Sequence, residues 1–197
     1  KKRKVPVVFF DRSHQSITDS QVIVDDYNGA IKLTTFLLDK GYRRIAHIAG
    51  PEHISIGLDR LKGYKDALNA YGIPFDNELI IRSGFREKDG TDAIKQILEM
   101  KQRPDAIFAV NDPVAIGAYI VLKQKGIKIP EEIALVGFCN NPISALLEPS
   151  ITTVQQPARL IGKTAAQLLI ERIEHPDDDL PPVTKTLQTE LVIRDSA

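Results

Sequence analysis

Short aliphatic runs alternate with amphipathic stretches along most of the chain. Residues 5–10 (Val-Pro-Val-Val-Phe-Phe) predict a strand buried on both faces, and a polar loop from Asp11 to Ser16 separates it from a short strand at 22–24. Asn28 offers a helix N-cap ahead of Ala30, Leu33, Phe36, Leu37 and Leu38, whose spacing suits one helical face, and Gly41 closes that helix. A strand follows at 45–49. The phrase then recurs as helix 58–71 with Gly72, strand 79–82, helix 90–101 and strand 106–110. Asn111-Asp112-Pro113 combines capping side chains with a proline suited to a first helical turn; its helix runs to Lys125, stops at Gly126 and leads to a strand at 133–138. Helices alternating with aliphatic strands predict right-handed crossovers and a parallel, doubly wound α/β sheet. The rhythm breaks afterwards. An irregular stretch at 139–149 precedes an extended run at 151–154, a long amphipathic helix at 158–174 and a last strand at 187–193.

Composition narrows the function classes. The 197 residues carry 26 Lys+Arg against 26 Asp+Glu, a formal net charge of zero, one Cys and no Trp. A chain of this length buries roughly 70% of its unfolded surface and needs neither disulfides nor metal to hold a core. The single cysteine excludes an internal disulfide and points to a reducing, cytoplasmic setting. No apolar run approaches the roughly 18 residues of a membrane span, and no secretory leader is expected. Lys1-Lys2-Arg3-Lys4 resembles a nuclear-localisation signal, yet short basic runs of this kind read first as a solvated charge cluster. Balanced charge argues against this chain alone gripping DNA through phosphates.

In open parallel sheets, ligands sit beyond the carboxyl ends of the strands. That rule nominates Asp11 and Arg12, Gly50 and Pro51, residues 83–85 including Phe85, Asn111 and Asp112, and residues 139–141 including Cys139. The set is rich in planar hydrogen-bonding groups and contains no nucleophile–base pair. No dinucleotide fingerprint occurs. Gly162-Lys163-Thr164 lacks the leading glycine of a phosphate loop, having Pro157 there, and falls inside a predicted helix. His14, His47, His53 and His175 match no metal-ligand spacing; His47 reads as a half-buried strand residue, while His53 could line a pocket. Asp177–Asp179 reads as a solvated turn. No metal or cofactor is implied, and an enzyme of doubly wound fold is the rival reading of another class.

Seven phrases, in order, resemble the effector-binding core of the lactose-repressor family of bacterial transcription regulators. They begin at Pro6-Val-Val-Phe-Phe-Asp-Arg12, Asp25-Asp-Tyr-Asn-Gly-Ala30 and His47-Ile-Ala-Gly-Pro51. Arg60-Leu-Lys-Gly-Tyr64, Val110-Asn-Asp-Pro-Val-Ala-Ile-Gly117, Val136-Gly-Phe138 and Thr152-Thr-Val-Gln-Gln-Pro157 complete the set. The resemblance implies a two-lobed, periplasmic-binding-protein-like fold with parallel doubly wound sheets. Residues 1–25 and 153–182 would form an incomplete first lobe, and 26–152 with 183–197 the second. It also implies effector contacts at Asp11, Arg12, Arg60, Phe85, Asn111, Cys139 and Gln155, suited to a sugar or related polar metabolite bound between the lobes. Many relatives carry aspartate where this chain has Cys139, and a thiol accepts hydrogen bonds only weakly. The implied partners are a second copy of the chain, docking through Pro113, Ile116 and Ile120, and operator DNA, read allosterically through an N-terminal helix-turn-helix outside this chain. A transport-type binding protein of the same fold is the nearest alternative.

Overall fold

In the computed structural model, which describes residues 5–12, 17–175 and 181–197, the recurring helix–strand phrase builds a four-stranded parallel sheet. Its strands are β3 (Ile45–Ala49), β4 (Ile80–Arg82), β5 (Ala106–Ala109) and β6 (Ala134–Val136), in the order β4-β3-β5-β6. Every residue of β3, β5 and β6 is buried, as expected of strands covered on both faces. Alternate side chains serve two cores. Ile45, Ala106, Phe108 and Val136 face helices α1 (Asp26–Asp39) and α2 (Ser55–Ala70), while Ile48, Ile107, Ala109 and Leu135 face α3 (Glu87–Leu98) and α4 (Asp112–Gln124).

Glycines let each helix pair approach closely. A Cβ at Gly63 of α2 would collide with the Tyr27 carbonyl of α1, and one at Gly117 of α4 with the Glu87 carbonyl of α3. The capping chemistry differs from expectation at one helix. Asp25, not Asn28, caps α1, its carboxylate accepting the Asn28 N–H at 3.2 Å; Asp25 as the cap and Asp26 in the first turn make the earlier start available. At α4 the expected arrangement holds, with the Asn111 side chain accepting the Val114 N–H at 2.9 Å and Pro113 in the first turn.

A second parallel sheet holds β1 (Val8–Asp11), β2 (Ser20–Val24) and β8 (Thr184–Leu187), in the order β1-β2-β8. Helix α5 (Ala158–Glu174) covers one face through Ile161, Ala165 and Leu168, packed on Val22 and Val24. The expectation that residues 5–10 are buried on both faces fails: β1 is an edge strand of this small sheet, and Phe10 is 58% exposed. The single last strand expected at 187–193 is two strands, because β9 (Glu190–Val192) leaves β8's sheet and pairs antiparallel with β7 (Thr153–Gln155). The expected division meets these pairings unevenly: Thr184–Leu187, expected with the larger lobe, lies beside β2, and β7, expected with the smaller, joins β9 and adjoins β6 through a bridge from Thr152 to Val136. Lys1 to Lys4, His14 and Asp177–Asp179 lie outside the described residues. No helix among the described residues is long and apolar enough to cross a membrane.

Candidate functional site

The carboxyl ends of the strands gather the nominated residues into neighbouring groups. The first centres on Arg60, which α2 projects beneath the sheet edge. Its Nε and Nη2 donate to Asp26 Oδ1 at 2.9 and 2.5 Å, and its Nη1 donates to the Val110 carbonyl at 2.6 Å. The guanidinium also stacks on the Phe138 ring, 3.6 Å from the centroid, and the residue is only 3% exposed. Burial raises the Asp26 carboxyl above its ordinary range; Arg60 opposes the shift, while the negative charges of Asp59 and Asp11 add to it. Asp11 sits at the end of β1 with a left-handed backbone (φ 69°), an uncommon conformation for a residue other than glycine. The resemblance implied that Arg60 contacts the effector. Asp26 and Val110 instead occupy three of its N–H groups, leaving at most two of the five.

The second group is aromatic. Arg12 lies over the Phe85 ring at 5.8 Å, and that ring packs against Gly50, where a Cβ would approach it to 2.8 Å. The two ends of the Asn111 amide bond in different directions, Oδ1 capping α4 and Nδ2 donating to the Phe85 carbonyl at 2.9 Å. The amide thus fixes the Phe85 loop while retaining one N–H and one lone pair.

The third group is the turn after β6. Cys139 and Asn140 both have left-handed backbones, φ 98° and 51°. The Cys139 N–H donates to the Val154 carbonyl at 2.7 Å. Asn140 Nδ2 donates to Gln155 Oε1 at 3.1 Å, while Asn140 Oδ1 accepts from Arg194 at 2.6 Å. Burial, reinforced by the Asp112 charge, pushes the Cys139 thiol up to about 11. A thiol in that state is neutral near pH 7, so it forms a wall and not a nucleophile.

Other nominated positions fall elsewhere. Asp112 is fully buried and faces inward. His53 is exposed, and Gly162-Lys163-Thr164 lies within α5. His47 is fully buried, not half-buried, because β3 is a central strand with helices on both sides. Ile116 belongs to the core on the α3–α4 face, whereas Ile120 is 37% exposed and Pro113 half-buried. Sequence reasoning passed over Gln156: its Nε2 is buried and has no hydrogen-bond partner, and it lines an open pocket with Gln155, Arg159 and Lys163 at the start of α5. The only signal for it was its place beside Gln155. Among the described residues, no group of three or more His, Cys, Asp or Glu could hold a metal ion.

This site stands on a fold that has known counterparts. The family profile described as "Periplasmic binding protein-like domain" matches residues 34–197. The transcriptional regulator CelR of Thermobifida fusca is 36% identical over 177 residues, covering 90% of this chain and 52% of that protein. The transcriptional repressor PurR of Vibrio atlanticus is 35% identical over 175 residues, covering 89% and 52%. The chain therefore spans about half the length of the curated relatives it matches. Among solved structures, a CelR–cellobiose complex superposes with a TM-score of 0.91 at 34% identity, covering 96% of this chain and 58% of the other. A LacI family regulator from Enterococcus faecium with bound ribose superposes with a TM-score of 0.86 at 28% identity, covering 97% and 70%. The chain belongs to the periplasmic-binding-protein-like domain family, and these relatives are transcriptional regulators.

Proposed function

We propose that this chain senses a neutral, polyhydroxylated metabolite for a cytoplasmic DNA-binding regulator and transmits its presence allosterically to an attached helix-turn-helix. The observation that carries the reading is the convergence of Asp11, Arg60, Asn111 and Cys139 with the partly exposed Phe85 ring at the carboxyl edge of the strands. Amide, carboxylate and guanidinium groups pair with vicinal hydroxyls, and an aromatic face suits the apolar side of a sugar ring. Asp26 neutralises Arg60, the neighbouring Asp11 and Arg12 carry opposite formal charges, and the Cys139 thiol is uncharged, so little net charge is left to select a strongly ionic ligand. The relatives' complexes with cellobiose and ribose point to the same chemical class. The relatives are regulators, which favours regulation over transport and over catalysis. In this reading β1, β2, β8 and α5 belong to the smaller lobe and the four-stranded sheet with its helices to the larger.

Calorimetry on the full-length protein with cellobiose, ribose and other neutral saccharides and nucleosides tests the ligand class. One of them should bind and change operator affinity. Phe85→Ala should weaken that binding about tenfold, the loss of one aromatic stacking contact. Absence of binding across the whole panel would remove the sugar-like assignment.

Dimerisation is the second part of the proposal. Ile120 is exposed on α4, and the neighbouring segment bearing exposed Ile143 and Leu146 is tied to that helix by the Tyr119 hydroxyl and Lys123 Nζ, both donating to the Glu148 carbonyl. Together they offer an apolar surface to a second copy, with Pro113 at its border and Ile116 beneath it as core. Ile120→Glu should raise the dimer dissociation constant about tenfold or more in sedimentation velocity. An unchanged constant would place the interface elsewhere.

A further inference from the structure

Asp112 is a buried carboxylate for which the effector-contact reading has no use. It is fully buried, and no basic group stands within ion-pair distance of it among the described residues. Its carboxylate accepts from the residues that follow the turn after β6 and from β7 beside it. Oδ1 accepts from the Thr153 hydroxyl at 2.7 Å; Oδ2 accepts from the Asn141 N–H at 2.6 Å and from the Ser144 hydroxyl at 3.0 Å. Its own N–H donates to the Phe138 carbonyl at 2.8 Å. Thr153 passes the constraint on, because its hydroxyl oxygen accepts the Asn140 N–H at 3.3 Å. Gly137 presses on the carboxylate so closely that a Cβ there would collide with Oδ1.

The segment so held is the one with two successive left-handed residues, Cys139 and Asn140. Asparagine tolerates this region better than most residues, so the cost falls chiefly on Cys139, whose conformation is held only where its surroundings over-determine it. An ionised carboxylate with two oxygens can accept several bonds at once, which no neutral side chain of that size does. Burial raises the Asp112 carboxyl above its ordinary range, and the bonds from Thr153, Asn141 and Ser144 draw it back.

We propose that Asp112 is a positioning residue of the effector site: its carboxylate holds the turn carrying Cys139 and Asn140 in the left-handed shape that builds one wall of the cleft. The importance of that wall for a ligand rests on the effector-site reading above. The role of Asp112 in shaping it does not.

Residue-resolved hydrogen exchange on the ligand-free protein separates the two. The amides of Cys139 and Asn140 bond to Val154 and Thr153, not to Asp112, so their exchange reports the shape of the turn. The Val110 amide, bonded to the Ile48 carbonyl in the central sheet, reports general loss of stability. In Asp112→Ala the Cys139 and Asn140 amides should exchange about tenfold to a hundredfold faster relative to Val110. Ser144→Ala severs one bond and keeps the charge, and it should give about a threefold to tenfold relative acceleration. If Asp112→Ala does not fold, the serine variant decides alone. Equal acceleration at all three amides, the signature of a merely stabilising core residue, overturns the proposal. Because the measurement contains no ligand, failure to find a saccharide that binds leaves it intact.

Discussion

Arg60→Ala is expected to destabilise the protein by about 3–5 kcal/mol at pH 7, before any ligand is considered. The variant leaves Asp26, 4% exposed, without its cation, and takes a donor from the Val110 carbonyl and a stacked plane from Phe138. The Asp26 carboxyl is already raised by burial with Arg60 in place, so removing the guanidinium drives it further toward the neutral acid. A folded-state acid that holds its proton above the unfolded value gains stability as pH falls. The deficit of the alanine variant should therefore shrink toward the carboxyl range, in contrast to a simple packing defect. Replacing both partners by apolar residues, as in Asp26→Leu with Arg60→Met, should recover most of the loss, because the cost lies in an orphaned charge and not in a missing attraction. Urea titrations of the single and double variants at pH 7 and pH 5 decide this. A single-variant loss below about 1 kcal/mol would mean that the pair is solvated, as exposed pairs are. A ligand affinity measured on Arg60→Ala then has to be corrected for the unfolded fraction. Arg60→Lys, which keeps a charge but not the fork, is the better probe of contact with a ligand.

The same residue marks the boundary of what pattern alone conveys. Its place early in a helix after a strand end, and the phrase it opens, locate Arg60 at the cleft; nothing local to it shows Asp26, 34 positions away, as its partner. The four-stranded sheet followed from periodicity because each of its strands is buried on both faces, which makes the aliphatic runs continuous. The small sheet carried a misleading form of the same signal. Val-Val-Phe-Phe reads identically whether helices cover both faces or one helix covers one, and the edge position of β1 depends on which strands are its neighbours. The split of the last strand into β8 and β9 is likewise set by pairing, since Thr184–Leu187 has no apolar alternation to announce it and takes its place from parallel bonds to β2. Ile116 shows the limit for surfaces. An apolar helix position offered to a partner and one claimed by the next helix look alike until the close approach of α3 across Gly117 is known. Asp112 was visible as a polar residue beyond a strand end, but whether such a residue faces a ligand or turns inward depends on Thr153, from a strand 41 positions on.

Acidification from pH 7 to pH 4 is expected to remove about 3 kcal/mol of stability through His47 alone. The ring lies in the middle of β3, fully buried between Tyr64, stacked with centroids 5.3 Å apart, and Phe108 at 4.5 Å. Its Nδ1 is 2.9 Å from the Phe108 carbonyl, which can only accept, so Nδ1 carries the proton; Nε2 is buried with no partner. A second proton would have to enter at Nε2, in apolar surroundings. Burial accordingly lowers the pKa to about 4, the Phe108 carbonyl opposes the shift, and the positive charges of Arg60 and Arg82 add to it. The unfolded chain takes up this proton near pH 6.5 and the folded chain only near pH 4, so between those values the unfolded state binds more protons. Stability is therefore full above about pH 6.5, falls at about 1.4 kcal/mol per pH unit down to about pH 4, and levels off below. Asp26 and Asp112, whose carboxyls are raised in the folded state, slope the other way just above the ordinary carboxyl range. The wild-type curve alone thus understates the histidine. His47→Gln keeps a group able to donate to the carbonyl and cannot titrate, so the wild-type minus variant difference isolates the imidazole. That difference in unfolding free energy, measured by urea titration at half-unit steps from about pH 7.5 to about pH 4, should be flat above about pH 7 and decline below about pH 6.5. Parallel curves across the range would show that water reaches Nε2 and that the ring protonates in place.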